Sequence, residues 1–235
     1  METLAALVDL VLPAACAGCG AGGGYRSLCR ECADALAGAA PRRVRPEPEP
    51  PGLPRCLALA AYAGALRGAL LGYKERGRFG LAGPLGDRLA DVVRAAAPGA
   101  PLVLVPIPAT AAAARSRYGD HMTRLARRAA LRLNAAGQPT VVLRALRARP
   151  RPDSTGLSQG ERARQAAQAY VLVPRGVTAL RGCTAQGARL VLLDDIVTTG
   201  ATLAAAATVL RGAGFEVSLA AVLAATQRKG PVATR

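Results

Sequence analysis

The sequence predicts an α/β domain, a mainly parallel sheet with helices on both faces, preceded by a small cysteine module. Three observations lead there. Short apolar runs alternate with amphipathic stretches at a spacing that suits strand–helix units rather than hairpins. Four of the six cysteines gather in two CxxC pairs, Cys16/Cys19 and Cys29/Cys32. A proline-rich run, PRRVRPEPEPPGLP (Pro41–Pro54), separates these cysteines from the alternating part. Residues 1–40 are therefore expected to form an N-terminal helix and the cysteine module, 41–54 a semi-rigid linker, and 55–235 the α/β domain.

Composition sets the bounds. The 235 residues, 51% hydrophobic, suffice for one α/β domain with a small appendage. Aromatic residues are only 3% and Trp is missing, so Ala, Val and Leu must fill the core. The net charge is +16, almost all of it arginine, since the only lysines are Lys74 and Lys229. Guanidinium forks match phosphate and carboxylate, which points to phosphorylated ligands or nucleic acid. A GC-rich genome also accumulates Arg beside Ala, Gly and Pro without giving it a role. No apolar run reaches the roughly 18 residues of a membrane-spanning helix. At the start, METLAALVDLVLPAAC resembles a lipoprotein cleavage site, but no positive charge precedes the apolar stretch and Asp9 interrupts it. Leu4, Leu7, Val8 and Val11 share one helical face, so a short amphipathic helix and a cytoplasmic protein with no membrane contact are expected.

Each element follows in order. CLALAAYAG (Cys56–Gly64) reads as a strand; Ala65–Gly77 and Leu81–Ala97 read as helices. Pro101–Pro108 is an apolar run closed by proline, hence a buried strand, and His121–Leu133 is an amphipathic helix. Thr140–Leu146 reads as a strand, Ala148–Gln165 as a polar segment with a helical end, and Ala169–Val173 as a strand. Ala188–Asp195 is a strong strand, Ala201–Gly214 a helix stopped by glycine, and Phe215–Ala224 the final strand.

The functional signal is VLLDDIVTTGATL, Val191–Leu203. A buried strand ends in Asp194 and Asp195, at the carboxyl edge where open α/β sheets bind ligands. The segment from Val197 through Thr198, Thr199, Gly200, Ala201 and Thr202 then enters a helix. Amides at a helix N-terminus lack intrahelical partners and favour anions. Three hydroxyls add donors, and Gly200 lets backbone approach a ligand closely. That is a monophosphate cradle. The neighbouring carboxylates would repel phosphate, but they suit sugar hydroxyls or hydrated Mg²⁺. Simple capping by Thr198 or Thr199 needs one such residue and leaves the acidic pair unexplained.

VLLDDIVTTGATL resembles the phosphoribosyl diphosphate (PRPP) motif of type I phosphoribosyltransferases. The resemblance implies that Asp194 and Asp195 hold the ribose hydroxyls while Val197–Thr202 hold the 5-phosphate. It extends to the ComF (ComFC/GntX-like) branch, through LVDLVLPAACAGC, VPIP at Val105–Pro108, Arg115–His121, and STGLSQGERARQ with Leu157 and Arg162. Asp120-His121 stands where that branch has Asn-Gln, Ser154 stands for Gln, and Gln165 for Asn. The resemblance implies a type I phosphoribosyltransferase-like domain carrying a double zinc ribbon, pentosyl transfer with Mg²⁺, and a setting in DNA uptake during natural competence beside a helicase.

Further candidates carry two readings each. Arg115 and Arg117, after the VPIP strand, are candidates for diphosphate contact or parts of a solvated face. Lys74 resembles a family lysine position or is a surface charge. Arg147, Arg149 and Arg151 belong to a closing lid or to a solvated loop. His121, the only histidine, suits acid–base work, but its place at a helix start suggests a cap or core edge. Cys16, Cys19, Cys29 and Cys32 match a tetrahedral Zn²⁺ site, with two disulfides as the alternative in an oxidising compartment. Cys56 reads as core and Cys183 as part of a polar loop. No Ser/His/Asp or Cys/His nucleophile pattern occurs. The rival function is an inactive accessory that binds single-stranded DNA, which the charge favours and the scarcity of stacking aromatics opposes.

Overall fold

The computed structural model describes residues 15–22, 27–110, 119–149 and 169–226. Its main sheet contains β1 (Arg42–Val44), β2 (Arg55–Ala61), β3 (Leu102–Pro106), β4 (Thr140–Val142), β7 (Arg189–Val197) and β8 (Leu219–Ala225), ordered β1-β2-β8-β7-β3-β4. All neighbours are parallel except β1 and β2. A second sheet pairs β5 (Leu146–Ala148) with β6 (Tyr170–Leu172), antiparallel. The helices are α1 (Arg30–Ala37), α2 (Gly64–Glu75), α3 (Ala82–Ala96), α4 (His121–Ala135), α5 (Pro174–Ala185) and α6 (Ala201–Gly212). The expected α/β class, with a mostly parallel sheet and flanking helices, is what the chain adopts.

Side-chain alternation along β7 sorts the core into two layers. Val191 and Leu193 face α2, α3 and α4, packing among Leu70, Leu89 and Leu125. Leu190 and Leu192 face α5 and α6, packing among Leu180, Leu203 and Leu210. Ala206, Ala207, Ala220 and Val222 are fully buried in that second layer, so small side chains replace the missing aromatics.

The topology reverses between β3 and β7. From β3 the chain crosses through α4 to β4 on one side; from β7 it crosses through α6 to β8 on the other. Helices α4 and α6 cover opposite faces, so their connections diverge and leave a crevice at the carboxyl ends of β3 and β7. Strand β3 stops pairing at Pro106↔Leu193, whereas β8 follows β7 to Val197↔Ala225. Asp194 and the residues after it therefore have a sheet neighbour on one side only.

Three elements differ from expectation. The proline-rich segment does more than span a gap: Arg42–Val44 pairs with Cys56–Ala58 at the sheet edge, and the prolines lie beyond the paired residues, where no ladder amide is required. Thr140–Leu146 is not one strand. β4 joins the main sheet, and after Leu143–Ala145 the chain enters β5 in the second sheet. Residues 174–185 form α5, which puts Cys183 on a helix rather than in a loop. Proline opens this helix at a first-turn position where a missing amide proton costs nothing. The N-terminal amphipathic helix expected over Leu4–Val11 lies outside the described residues. Among the described residues, no helix is long and apolar enough to cross a membrane.

Candidate functional site

Period-two alternation sends the two adjacent acids to opposite faces of β7. Asp195 follows Val191 and Leu193 onto the α2/α4 side, where it is 4% exposed. There Lys74 Nζ, from the last turn of α2, and His121 Nε2, from the first turn of α4, each lie 2.8 Å from Asp195 Oδ2. Asp194 follows Leu192 toward α6 and is half-buried, its Oδ1 accepting the Asp195 amide at 2.9 Å. Both acids line a cleft of about 530 Å³, together with Lys74, His121, Thr198 and Thr202. Tyr62, Ile107 and Tyr170 give the cleft an apolar wall.

The two carboxyls titrate in opposite directions. Burial, and then the charge of Asp195, push Asp194 up to about 8. Burial also resists ionisation of Asp195, but the His121 hydrogen bond and the Lys74 ammonium outweigh it and hold this carboxyl below its ordinary value. At neutral pH the pair is one carboxylic acid beside one carboxylate. The first can donate a hydrogen bond and the second only accepts.

Across the cleft, Gly200 opens α6 with φ 73° and no side-chain cap. Thr198, Thr199 and Ala201 are exposed, and the Thr199 hydroxyl reaches only the Ala201 amide, at 3.4 Å. Apart from this long contact the helix start carries no side-chain cap, and capping accounts for at most one of the threonines. Gly200 also packs against a neighbouring segment of the chain. A Cβ there would lie 3.0 Å from Leu53 Cδ1 and 3.2 Å from Pro46 Cγ, so its bare face seats the proline-rich segment. Gly200→Ala should cost about 1–2 kcal/mol, mainly for a left-handed alanine, with a Tm drop of a few degrees in thermal denaturation.

The remaining candidates divide. His121 is not the cap of α4: Asp120 is, its carboxylate accepting the Thr123 amide at 3.1 Å and the Thr123 hydroxyl at 2.8 Å. Arg147 and Arg149 lie at β5 and are exposed. Arg115, Arg117 and Arg151 fall outside the described residues. Cys56 is core, its thiol donating to Pro54 O at 3.2 Å and pushed up to about 12 by burial. The sequence reading did not join His121 to Asp195, 74 residues away. It also missed Tyr73, whose hydroxyl donates to His121 O at 3.0 Å. The only sign that α2 contributes to the site was the rarity of lysine.

The cysteine module forms a second site. The sulfurs of Cys16, Cys19, Cys29 and Cys32 all lie within 4.8 Å of one another, close enough to hold one metal ion. Sulfurs around a tetrahedral metal with bonds of about 2.3 Å sit roughly 3.8 Å apart, and Cys19 and Cys29 Sγ are 3.8 Å apart. None of the cysteines is disulfide-bonded. The Gly18 and Cys29 amides donate to Cys16 Sγ at 3.3 and 3.2 Å. Burial resists thiolate formation at Cys16, but the backbone amides of Cys19, Cys29 and Gly18 outweigh it and bring the thiol down to about 6. Gly20, at φ 80°, makes the tight turn that such a knuckle requires.

Compared with known proteins, the chain matches no family model and no curated protein.

Proposed function

We propose that the chain is a ComF-family protein with a type I phosphoribosyltransferase-like domain, which binds PRPP or a related ribose 5-phosphate with Mg²⁺ in the cleft. One observation carries this reading. An acidic pair and an uncapped helix N-terminus line the same cleft, at the point where the strand order reverses. The amides and hydroxyls of Thr198–Thr202, following Val197, take the 5-phosphate. Asp194 and Asp195 take the ribose hydroxyls. Lys74 and His121 both occupy Asp195 Oδ2, so the hydroxyl falls to Oδ1. In this arrangement Lys74 orients a carboxylate rather than gripping diphosphate directly, and Arg115 and Arg117 are the candidates for that group. Bound Mg²⁺ supplies charge neutralisation for a departing diphosphate. The four-cysteine module takes Zn²⁺, which suits its all-sulfur donor set. The setting is cytoplasmic DNA uptake, with a competence helicase as partner.

Calorimetry of PRPP with Mg²⁺, run against a salt titration of oligonucleotide binding, tests the reading. Micromolar PRPP binding supports it. Affinity for single-stranded DNA alone, with a steep salt slope, supports the accessory role that the +16 charge favours.

A pH signature accompanies the reading. Below about 8, Asp194 of the free protein retains its proton. Hydroxyl donors and Mg²⁺ favour the carboxylate, so binding at pH 7 should release up to one proton. Heats measured in buffers of different ionisation enthalpy report this release. It should fade above pH 8, where the free acid is already ionised, and Asp194→Asn should abolish it.

A further inference from the structure

We infer that metal bound by the four cysteines sets the position of α2 and thereby the pairing of Lys74 with Asp195, so that the cysteine module and the cleft are energetically coupled. The inference does not depend on which ligand the cleft takes.

The link is a glycine seam on α2. Gly64, Gly68 and Gly72 recur at every fourth residue of a twelve-residue helix, although each glycine weakens a helix by roughly 1 kcal/mol relative to Ala. The knuckle explains the middle one. A Cβ at Gly68 would lie 2.5 Å from Ala17 O and 2.9 Å from Gly18 C, both backbone atoms. A Cβ at Gly72 would first meet Arg78 Cδ and Leu81 Cδ1, each at 3.3 Å, with Ala17 Cβ in ordinary contact at 3.4 Å. A Cβ at Gly18 would meet Cys32 Sγ at 2.8 Å and, on α2 itself, Ala65 Cα at 3.3 Å. The loop between the first two metal-ligating cysteines is therefore pressed between a third ligand and α2, with no side chain intervening. Arg78, just past α2, donates to Ala15 O and ties down the chain entering the loop.

The far end of α2 reaches the cleft through consecutive residues. Tyr73 donates to His121 O at 3.0 Å, and Lys74 pairs with Asp195 Oδ2 at 2.8 Å. A rigid helix thus carries the metal loop on its first turns and the partner of a cleft carboxylate on its last. Closing the four sulfurs around a metal fixes Ala17 and Gly18, and those two residues are the floor on which α2 rests. Coupling of this kind is reciprocal: whatever metal does to the Lys74–Asp195 pair, that pair does to metal affinity by the same factor.

His121 is the only histidine, so its ring gives a single resolved pair of signals in a proton–nitrogen correlation spectrum. The experiment records that spectrum on the full chain with Zn²⁺ bound, after chelation, and after Zn²⁺ is restored. Chelation should displace the His121 ring signals and restoration should return them. A second measurement titrates Zn²⁺ against a competing chelator in the parent and in Lys74→Met. The variant should bind Zn²⁺ about five-fold more weakly. Unchanged His121 signals in a chelated chain that keeps its far-ultraviolet dichroism would overturn the inference. So would equal Zn²⁺ affinity in the two proteins, which decides the matter even if chelation unfolds the chain.

Discussion

Gly68→Ala should lower the stability of the folded chain by about 3 kcal/mol. The inserted methyl meets the Ala17 and Gly18 backbone rather than a side-chain tip. Backbone cannot swing aside as a rotamer does, and the loop it belongs to is held by cysteine on both flanks. Relief requires α2 to move off the knuckle, which disturbs Leu66, Ala69, Leu70 and Tyr73 in the core beneath. Thermal denaturation should register a Tm drop of about 6–12 °C. The result opposes intrinsic preference, since alanine is the better helix former. A stabilised Gly68→Ala protein would mean that the close approach of loop and helix is wrong.

Asp195→Asn should weaken PRPP binding by about 10–100-fold, the range expected for losing hydrogen bonds to a charged acceptor. The substitution keeps the shape and removes the charge. Lys74, with its side chain 19% exposed, then loses its carboxylate partner, and His121 loses a charged acceptor. Isothermal calorimetry measures the loss. Asp194→Asn should behave differently. Because the free acid must first give up its proton, its loss costs less binding at neutral pH, and the substitution abolishes the proton release. Equal losses from the two variants would contradict the assignment of one acid and one carboxylate.

Much of the fold was legible because its central elements announce themselves. β3 and β7 are continuous apolar runs with abrupt polar or proline ends, and α3 and α4 repeat leucines at helical spacing. The pieces that escaped are short or compositionally misleading. β1 has three residues and sits among prolines. α5 begins on proline and contains glycine and two threonines, with Leu180 as its one buried residue. Without a buried stripe it shows no period. The division of Thr140–Leu146 between two sheets reflects where its neighbours lie, which local pattern does not encode.

The candidate site was legible to the same extent. The acidic pair and threonine loop are contiguous, so one motif exposes them. Lys74 and His121 join through long-range packing, and neither carries a local mark beyond its rarity. The cysteine ligands were visible from spacing alone, whereas the reason for Gly68 was not. A helical glycine looks like weakness until the chain pressed against it is known.

The opposed orientation of Asp194 and Asp195 ties recognition to the hydrophobic interior. Were β7 to slide by a single residue against β3 and β8, each leucine would change layers and the acids would trade neighbours. Misfolding and misrecognition would then be the same event. Substitutions at Leu190–Leu193 that loosen the strand's register should therefore damage ligand selection and stability together, although none of those side chains need ever touch what the cleft holds.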